Sequence, residues 1–427
     1  MTVLSFDHRI QSVKVFSYIF IFLLPLLLNA SINIGVDFNY EKDSLNLFSV
    51  KPYISLDTSG FSVVFQPNLK FIDTTLPPRM LFKNIVGMNM QSGYISYENS
   101  IFFMEAGKKS MRWGEGVSPL LFSGYLPVNN VMYGLKYKNV EMTCAYILLN
   151  RMYTTLNDVV GDTSTTKYHF NRFISAHKIE FLIKKTKIAL SEVALIYYKD
   201  GESFPLQFLN PLNVMYVLQW NDPDEGNTIP TNLFWDLSLE RQMRNHNFYL
   251  ELLIDDFQYD NPPSDMNEPN HLAFTTGDSF VIGDFDIIME YSIASRWVYG
   301  LYAPAGRYTA YGFPIGTEEG NDFDRVYLNI KRNIGSYSLY FKGTFKRKGE
   351  GRLDITWPSG GGFREEEFPD KNFLAGNVKH YICPKIGFGY KTEKMELNVE
   401  VGDLYEAGTG NSITANIRFI YKFLGSN

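Results

Sequence analysis

Apolar and polar side chains alternate along most of this chain, and the last segment shows the pattern most clearly. One face of residues 413–423 carries Ile413, Ala415, Ile417, Phe419, Tyr421 and Phe423, and the other carries Thr414, Asn416, Arg418 and Lys422. Successive side chains of a β-strand point to opposite faces, so this period of two predicts a strand with one apolar face and one polar face.

The same alternation predicts further strands towards the N-terminus. Their polar faces are Glu396, Asn398 and Glu400; Ser338, Tyr340, Lys342, Thr344 and Lys346; Arg325, Tyr327, Asn329 and Lys331; Tyr249, Glu251 and Asp255; and Lys178, Glu180 and Lys184. The runs extend for about 9–11 residues, the length that a tilted membrane strand needs, whereas strands of soluble proteins average about 5–6 residues. The opposite faces are apolar except for His177, as expected for contact with lipid.

This pattern predicts an all-β protein, a transmembrane antiparallel β-barrel. A soluble β-sandwich also alternates apolar and polar positions and is the alternative architecture. Polar stretches rich in Gly, Pro, Asp, Asn and Thr are predicted as loops, namely residues 150–171, 199–231, 258–277, 302–322 and 348–378. Residues 78–90 and 206–220 break the strand pattern, and we expect each to form a short helix that occludes one mouth of the barrel.

The first thirty residues have the organisation of a secretory signal peptide. His8, Arg9 and Lys14 precede an apolar run, residues 15–28, which small or polar residues follow. A signal anchor is the alternative, although the run is shorter than the ~20 residues that span a bilayer. No later stretch of ~18 uncharged apolar residues occurs, which argues against a helical membrane protein. We therefore expect a single barrel domain over residues 31–427, exported to the bacterial outer membrane.

Composition agrees with a barrel and excludes some functions. The aromatic share is 16% while the hydrophobic share is an ordinary 45%, as expected when lipid-facing and lumen-facing residues alternate and aromatic residues collect at the membrane interfaces. The net charge of −6 argues against a nucleic-acid-binding protein. The two cysteines, Cys144 and Cys383, fit either one disulfide bond or two free thiols.

The residues that could carry catalysis form no strong motif. The histidines lack the spacing of a zinc site, so we expect no metal and no cofactor. Ser175 and His177 lie two apart on one strand and would share a face, which leaves a barrel hydrolase as an alternative, but no nucleophile elbow accompanies them. Asp255 and Asp256 would point to opposite faces and could not act as a pair. We therefore expect a protein that is not an enzyme.

Residues 107–116 concentrate cations, an indole and a carboxylate at the end of a strand. Such a mixture suits a carbohydrate, because the apolar faces of sugar rings stack on aromatic side chains while their hydroxyl groups need polar partners. The alternative is an interfacial tryptophan beside a salt bridge in the lumen.

Four motifs, in this order, resemble the capsule-assembly outer-membrane family, the Wzi-like proteins: residues 109–116 (KSMRWGEG), 172–181 (RFISAHKIEF), 210–212 (NPL) and 253–260 (LIDDFQYD). The likeness covers roughly residues 100–260. It implies an eighteen-stranded barrel, partly plugged by helices and loops, that binds surface polysaccharide and is not an enzyme. The shorter length of this chain widens the expected range to about 14–18 strands, with an even number. The candidates for polysaccharide binding or for the family signature are the residues that match these motifs: Arg112, Trp113, Glu115, Arg172, His177, Asn210, Asp255 and Asp256.

The expected function is therefore an outer-membrane barrel that binds capsular polysaccharide or exopolysaccharide and helps attach or assemble a capsule. Its other expected partners are the outer-membrane lipid and the barrel-insertion machinery, although the aromatic residue usual at the C-terminus lies a few residues inside, at Phe423. The alternative function is a diffusion porin or substrate-specific channel, because the predicted lumen faces are rich in Lys, Glu, Asn and Tyr.

Overall fold

The computed structural model describes residues 31–42, 46–72, 80–82, 86–155, 167–220, 230–257, 270–301, 303–354, 373–408 and 410–424. The predicted signal peptide lies outside these residues. In the described part of the chain, no helix is long and apolar enough to cross a membrane.

The first half of the chain forms strands β1 (Ser31–Lys42), β2 (Asn46–Thr58), β3 (Phe61–Ile72), β4 (Met80–Phe82), β5 (Val86–Glu98), β6 (Phe102–Trp113), β7 (Phe122–Tyr137), β8 (Val140–Leu148), β9 (Met152–Thr155), β10 (Lys167–Ile183) and β11 (Thr186–Lys199). The second half forms β12 (Thr231–Gln242), β13 (His246–Asp256), β14 (His271–Ile282), β15 (Phe285–Ala294), β16 (Thr309–Ala310), β17 (Phe313–Pro314), β18 (Phe323–Ile334), β19 (Tyr337–Lys348), β20 (Lys379–Lys391), β21 (Met395–Glu406) and β22 (Gly410–Leu424). The helical elements are a 3₁₀ turn at Leu206–Leu209, helix α1 at Met215–Trp220 and a 3₁₀ turn at Pro304–Gly306.

Eighteen of the described strands form one closed antiparallel barrel. Each wall strand pairs with the next wall strand along the chain, and β1 pairs with β22, so that Val36 lies opposite Tyr421 and closes the ring. The short strands β4 and β9 extend the pairing of β5 and β10, while β16 and β17 pair only with each other. Closure satisfies the backbone groups that an open sheet edge would expose to hydrocarbon. The strand number is the upper end of the predicted range.

The two ends of the barrel differ in the length of their connections. At one end, which we call the tight-turn end, two or three residues join the strands, at 59–60, 99–101, 138–139, 184–185, 243–245, 283–284, 335–336 and 392–394. The long connections lie at the opposite end, which we call the long-loop end. Outer-membrane barrels place short turns in the periplasm and long loops outside the cell, so the long-loop end is the expected extracellular end.

The faces of the wall strands follow the predicted alternation. On β19, Leu339 points outward and is 52% exposed, whereas Tyr340 and Lys342 line the lumen. On β22, Ile417 points outward and Arg418 points inward. A charged side chain facing lipid near the bilayer midplane costs ~2–4 kcal/mol, which is why the register keeps such residues on the inner face.

The hydrophobic core of this barrel lies inside the lumen. Two segments fold inward: the plug hairpin (residues 111–123), formed by the ends of β6 and β7, and the plug loop (residues 295–322), which joins β15 to β18. Their buried side chains pack on the lumen face of one half of the wall, at Val128, Ala145, Ile147, Ile174, Ala176, Val193, Leu195, Tyr197, Phe234, Leu253, Ala273, Ala294 and Phe323. These two inward segments therefore fill one half of the lumen.

Several predictions about loops and helices were wrong. The described part of segment 78–90 forms β4 and the start of β5 instead of a helix. Segment 206–220 does contain helix α1, but it packs on the outer face of the wall and does not occlude a mouth. Strands β10 and β14 begin inside stretches predicted as loops, because strand pairing with β9 and β15 extends beyond the apolar runs.

Candidate functional site

The plug hairpin forms because β6 and β7 leave the wall near the long-loop end. Strand β8 pairs with β7 only from Asn129 onward, so the residues before it pair with β6 alone. A register shift between Ser110 and Arg112, together with Gly124 at φ 85°, bends the hairpin inward. That positive φ favours glycine, because other residues are strained there.

The plug hairpin extends down the lumen towards the tight-turn end. Trp113 is only 5% exposed, packs edge-to-face on Phe122 with 5.1 Å between ring centroids, and has the Lys178 ammonium 5.4 Å from its ring centroid. Glu115 forms an ion pair with Lys187, which is the second residue of β11 and therefore lies close to a tight turn. The hairpin thus spans much of the height of the lumen.

The plug loop is tied to the plug hairpin by two buried tyrosines. The Tyr299 hydroxyl donates to the Leu120 carbonyl at 2.7 Å, and the Tyr308 hydroxyl donates to the Leu121 carbonyl at 3.1 Å. Burial raises the pKa of both hydroxyl groups well above their ordinary value, so both stay neutral donors. The two inward segments therefore form one unit.

Carboxylates on the lumen wall hold the plug hairpin from the other side. Glu251 on β13 accepts hydrogen bonds from two adjacent backbone amides of the hairpin, at 2.8 and 3.2 Å. Glu290 on β15 accepts from the Val117 amide, from the Tyr249 hydroxyl at 2.9 Å and from the Arg325 guanidinium at 2.7 Å. These acids are buried, and their hydrogen bonds offset the cost of removing them from water.

The wall also holds the backbone of the plug loop. Arg172 on β10 is 3% exposed and donates to the carbonyls of Ala305 and Arg307. The Asn232 side-chain amide on β12 donates to two glycine carbonyls of the loop, each at 3.1 Å. Because the plug loop has little regular structure, these side chains replace the hydrogen bonds that a helix or sheet would supply.

The other half of the lumen contains a polar cavity of about 600 Å³. It is lined by Asn39, Lys51, Asn329, Lys331, Ser338, Tyr340, Lys342, Asn398, Glu400, Asn416 and Arg418. These residues come from β1, β2, β18, β19, β21 and β22, the part of the wall that the plug leaves uncovered. The sequence pattern placed all of them except Asn39 and Lys51 on predicted polar faces. Asn39 falls in the alternation of Val36, Phe38 and Tyr40 against Asp37 and Asn39, and Lys51 falls in that of Val50 and Ile54 against Ser49 and Ser55, so the same signal was present there.

Cations outnumber carboxylates among the described residues that line this cavity. Its lining includes three lysines and one arginine but a single carboxylate, Glu400, which pairs with Lys342 at 2.5 Å and with Lys385 at 3.3 Å. Arg418 pairs with Asp37 at 2.8 Å. The lining thus combines amides, a tyrosine and cations, which can bind hydroxyl groups and anionic groups.

The structure brings together five of the eight signature residues, and all five touch the plug. Arg112 donates to carbonyls at Gly116 and Ser123 and so closes the plug hairpin, while Trp113, Glu115 and Arg172 make the contacts described above. Asp255 accepts a hydrogen bond from the Tyr299 amide at 2.7 Å at the start of the plug loop. The sequence motifs therefore coincide with residues that build and hold the plug. Direct contact of these residues with a glycan stays a prediction.

The remaining signature residues lie elsewhere. Asp256 ends β13 and is half-buried opposite His271. His177 faces outward, opposite Cys144 on one neighbouring strand and Glu192 on the other. Asn210 stabilises a turn outside the barrel, where its side-chain oxygen accepts from the Leu212 amide at 3.1 Å.

The residues of the hydrolase alternative do share a face, as predicted. That face is the outer one, where the Ser175 hydroxyl is fully buried and donates to the Phe208 carbonyl at 2.7 Å. Cys144 and Cys383 are both free thiols, on β8 and β20. No group of three or more His, Cys, Asp or Glu among the described residues is arranged to hold a metal ion.

Comparison with known proteins adds the fold and nothing finer. No family model matches the sequence, and no curated protein sequence matches it. The structure of Wzi, an outer-membrane protein involved in group 1 capsule assembly in Escherichia coli and a carbohydrate-binding β-barrel, is similar with a TM-score of 0.61 and 12% identity, over 95% of this chain and 87% of that chain. The chain has the fold of large outer-membrane barrels.

This chain is also similar in structure to porins. OprD of Pseudomonas aeruginosa is similar with a TM-score of 0.51 and 8% identity, over 93% of this chain and 97% of that chain. A BenF-like porin from Pseudomonas fluorescens Pf-5 gives a TM-score of 0.52 and 7% identity, over 93% of this chain and all of that chain. These neighbours share the fold of a large outer-membrane barrel, and they include proteins of two different functions.

Proposed function

We propose that this barrel binds a surface polysaccharide in its half-plugged lumen and so helps to attach or assemble a capsule or exopolysaccharide. The observation that carries the proposal is the division of the lumen into a filled half and a polar cavity of about 600 Å³. The likeness to Wzi, a carbohydrate-binding barrel, supports the same ligand class. In this role the barrel binds and does not catalyse, and outer-membrane lipid and the barrel-insertion machinery are its other proposed partners.

The chemistry of the cavity lining suits a glycan. Four asparagine amides, at Asn39, Asn329, Asn398 and Asn416, can each donate to and accept from sugar hydroxyl groups. Tyr340 adds an aromatic ring with a polar tip, and Lys342 and Arg418 supply charged donors. The volume is within the range of about 300–1,000 Å³ that ligand pockets occupy.

Binding can be weak at each site and still retain a long polymer. A repeating glycan presents the same unit many times to many barrels in one membrane, and such multivalency raises retention by ~10²–10⁴. A filled half-lumen also gives the cavity a rigid boundary, because buried carboxylates and Arg172 fix the plug.

The direct test is retention of the capsular polysaccharide or exopolysaccharide of the source organism by the purified barrel in detergent. We expect Tyr340→Ala combined with Asn398→Ala to reduce retention at least tenfold. The matched control is Tyr337→Ala, which removes a tyrosine from the outer face of the same strand and should leave retention unchanged. Retention that is absent in the unmodified barrel, or equal in the cavity variant, would contradict the proposal.

A substrate-specific channel is the second candidate function, and the cation-rich lining favours it. An anionic solute passing the uncovered half of the wall would meet Lys51, Lys331 and Lys342. Planar-bilayer recordings distinguish the two functions. A steady conductance that Lys331→Glu makes less anion-selective supports the channel, whereas a barrel that retains glycan and opens only rarely supports the binding protein.

A further inference from the structure

The connection between β11 and β12 folds back onto the outside of the barrel. We call residues 204–218 the outer lobe; it comprises the 3₁₀ turn at Leu206–Leu209 and the start of helix α1. Its buried residues Phe208 and Met215 pack on Ala194 and Ile196 of β11. The neighbouring residues Val193 and Leu195 belong to the lumen core, so Ala194 and Ile196 must face outward.

We propose that the outer lobe is embedded in the outer membrane and that its exposed face binds the acyl chains of the surrounding lipid. The sequence of the lobe, FPLQFLNPLNVMYVL, contains no charged residue, whereas Lys199, Asp200 and Glu202 precede it. The lobe also exposes a set of apolar side chains: Leu206, Leu209, Leu212, Val214, Tyr216 and Val217. Leu212 is 80% exposed, which is unfavourable in water and favourable in hydrocarbon.

The position of the lobe on the wall places it within the apolar band. Its anchor Glu192 lies six residues above Thr186, the first residue of β11 at the tight-turn end. At ~3.3 Å per residue and a tilt of ~40°, the anchor lies ~15 Å above that end, inside an apolar band ~25 Å tall. Leu190 and Leu237, just below the lobe, are exposed lipid-facing residues of the wall. The apolar face of the lobe is therefore continuous with the lipid-facing wall.

Several polar backbone groups of the lobe have hydrogen-bond partners within the protein. An unpaired polar backbone group is costly in hydrocarbon, so irregular backbone at membrane depth must be buried against the protein. The Ser175 hydroxyl donates to the Phe208 carbonyl and the Tyr146 hydroxyl donates to the Leu209 carbonyl, each at 2.7 Å. Within the lobe, the Asn213 amide side chain donates to the Gln207 carbonyl at 2.9 Å.

Glu192, on the outer face of β11, anchors the lobe to the wall. Its carboxylate accepts from the backbone amides of Met215 and Tyr216, each at 2.9 Å, and from the Trp235 indole N–H at 3.1 Å. A carboxylate on the outer wall is costly unless donors surround it. The lobe therefore covers a polar group of the wall, and the wall in turn satisfies the amides that begin α1.

Spin labels test where the lobe lies. In a background with Cys144→Ala and Cys383→Ser, a label at Leu212→Cys should collide with oxygen and not with a water-soluble nickel chelate when the barrel is in liposomes. A label at Leu190→Cys provides the lipid-facing reference, and a label at Asn139→Cys in a tight turn provides the aqueous reference. Access of the chelate to position 212 at the level of position 139 would overturn the proposal. Low access of both reagents, as expected if a second copy of the chain covered the lobe, would overturn it as well.

The anchor is tested by replacing Glu192. With the label at position 212, Glu192→Leu should increase label mobility and chelate access severalfold, because the amides at the start of α1 lose their acceptor. Ser175→Ala, which removes one hydrogen bond, should have a smaller effect in the same direction. The control is Glu98→Leu, an exposed carboxylate beside a tight turn, which should change neither reading. Unchanged mobility in both Glu192→Leu and Ser175→Ala, in barrels that keep the heat-modifiable gel migration of the folded form, would rule out the anchor.

Discussion

Replacing Arg172 should loosen the plug loop. Its guanidinium donates to the carbonyls of Ala305 and Arg307 in a buried position, so Arg172→Ala removes a charged donor from two buried carbonyls. A hydrogen bond to a charged group contributes ~1.5–3 kcal/mol, and taking the lower value for both gives about 3 kcal/mol. Because 1.4 kcal/mol is tenfold in an equilibrium, the docked loop should open ~10²-fold more often.

Single-channel recording in planar bilayers measures this opening. We expect the unmodified barrel to show rare large openings and Arg172→Ala to raise their frequency by about two orders of magnitude. Arg172→Lys should lie between the two, because an ammonium cannot reproduce the planar donor geometry of the guanidinium.

The matched control is Arg332→Ala at a tight turn. Arg332 forms an exposed ion pair with Asp284 at 2.9 Å, and exposed pairs contribute at most about 1 kcal/mol. Its recordings should equal those of the unmodified barrel. If Arg172→Ala folds with normal gel migration yet opens no more often than Arg332→Ala, then Arg172 does not hold the loop that blocks this half of the lumen.

Three further predictions concern the wall and the thiols. Glu251→Ala removes the acceptor of two buried hairpin amides and should lower stability by about 2–4 kcal/mol, measured as a lower temperature of gel-mobility loss. Gly134→Ala should destabilise the barrel by about 1–3 kcal/mol in the same assay, because an added Cβ would lie 2.3 Å from the Phe103 ring; an unchanged midpoint would contradict that packing. A small, charged thiol reagent should modify Cys383 in the folded barrel and Cys144, which is 1% exposed, only after denaturation; mass spectrometry of the native protein would reveal the opposite order.

The local alternation of side chains carried most of the information about the wall. Leu339, Tyr340 and Lys342 fall on the faces that their spacing predicts, because a strand offers only two faces and lipid accepts only one kind of side chain. The same rule predicted the inward orientation of most residues that line the cavity. The strand number could be predicted only as a range, because the sequence of a long connection does not show where the pairing of its flanking strands ends.

The structure of the plug could not be predicted from the local alternation of side chains. The motif around Arg112 and Trp113 suggested a sugar-binding surface, and the structure places Trp113 in a buried core against Phe122. The partners that decide this lie far away in the sequence: the Leu120 amide bonds to Glu251, 131 residues later. Periodicity describes neighbours along a strand and carries no information about which distant carboxylate will meet an inward-folded loop.

The outer lobe, on the other side of the wall, also combines a predicted local structure with a position that was not predicted. A short helix was predicted within residues 206–220, but its position against Glu192 was not. The alternation of residue types was enough to predict long strands with two different faces and a membrane-spanning barrel, because lipid lies on one side of each strand and the lumen on the other. Which connections fill the lumen and which one lies outside could be seen only in the folded chain, because that choice depends on hydrogen-bond partners that closure of the ring brings together.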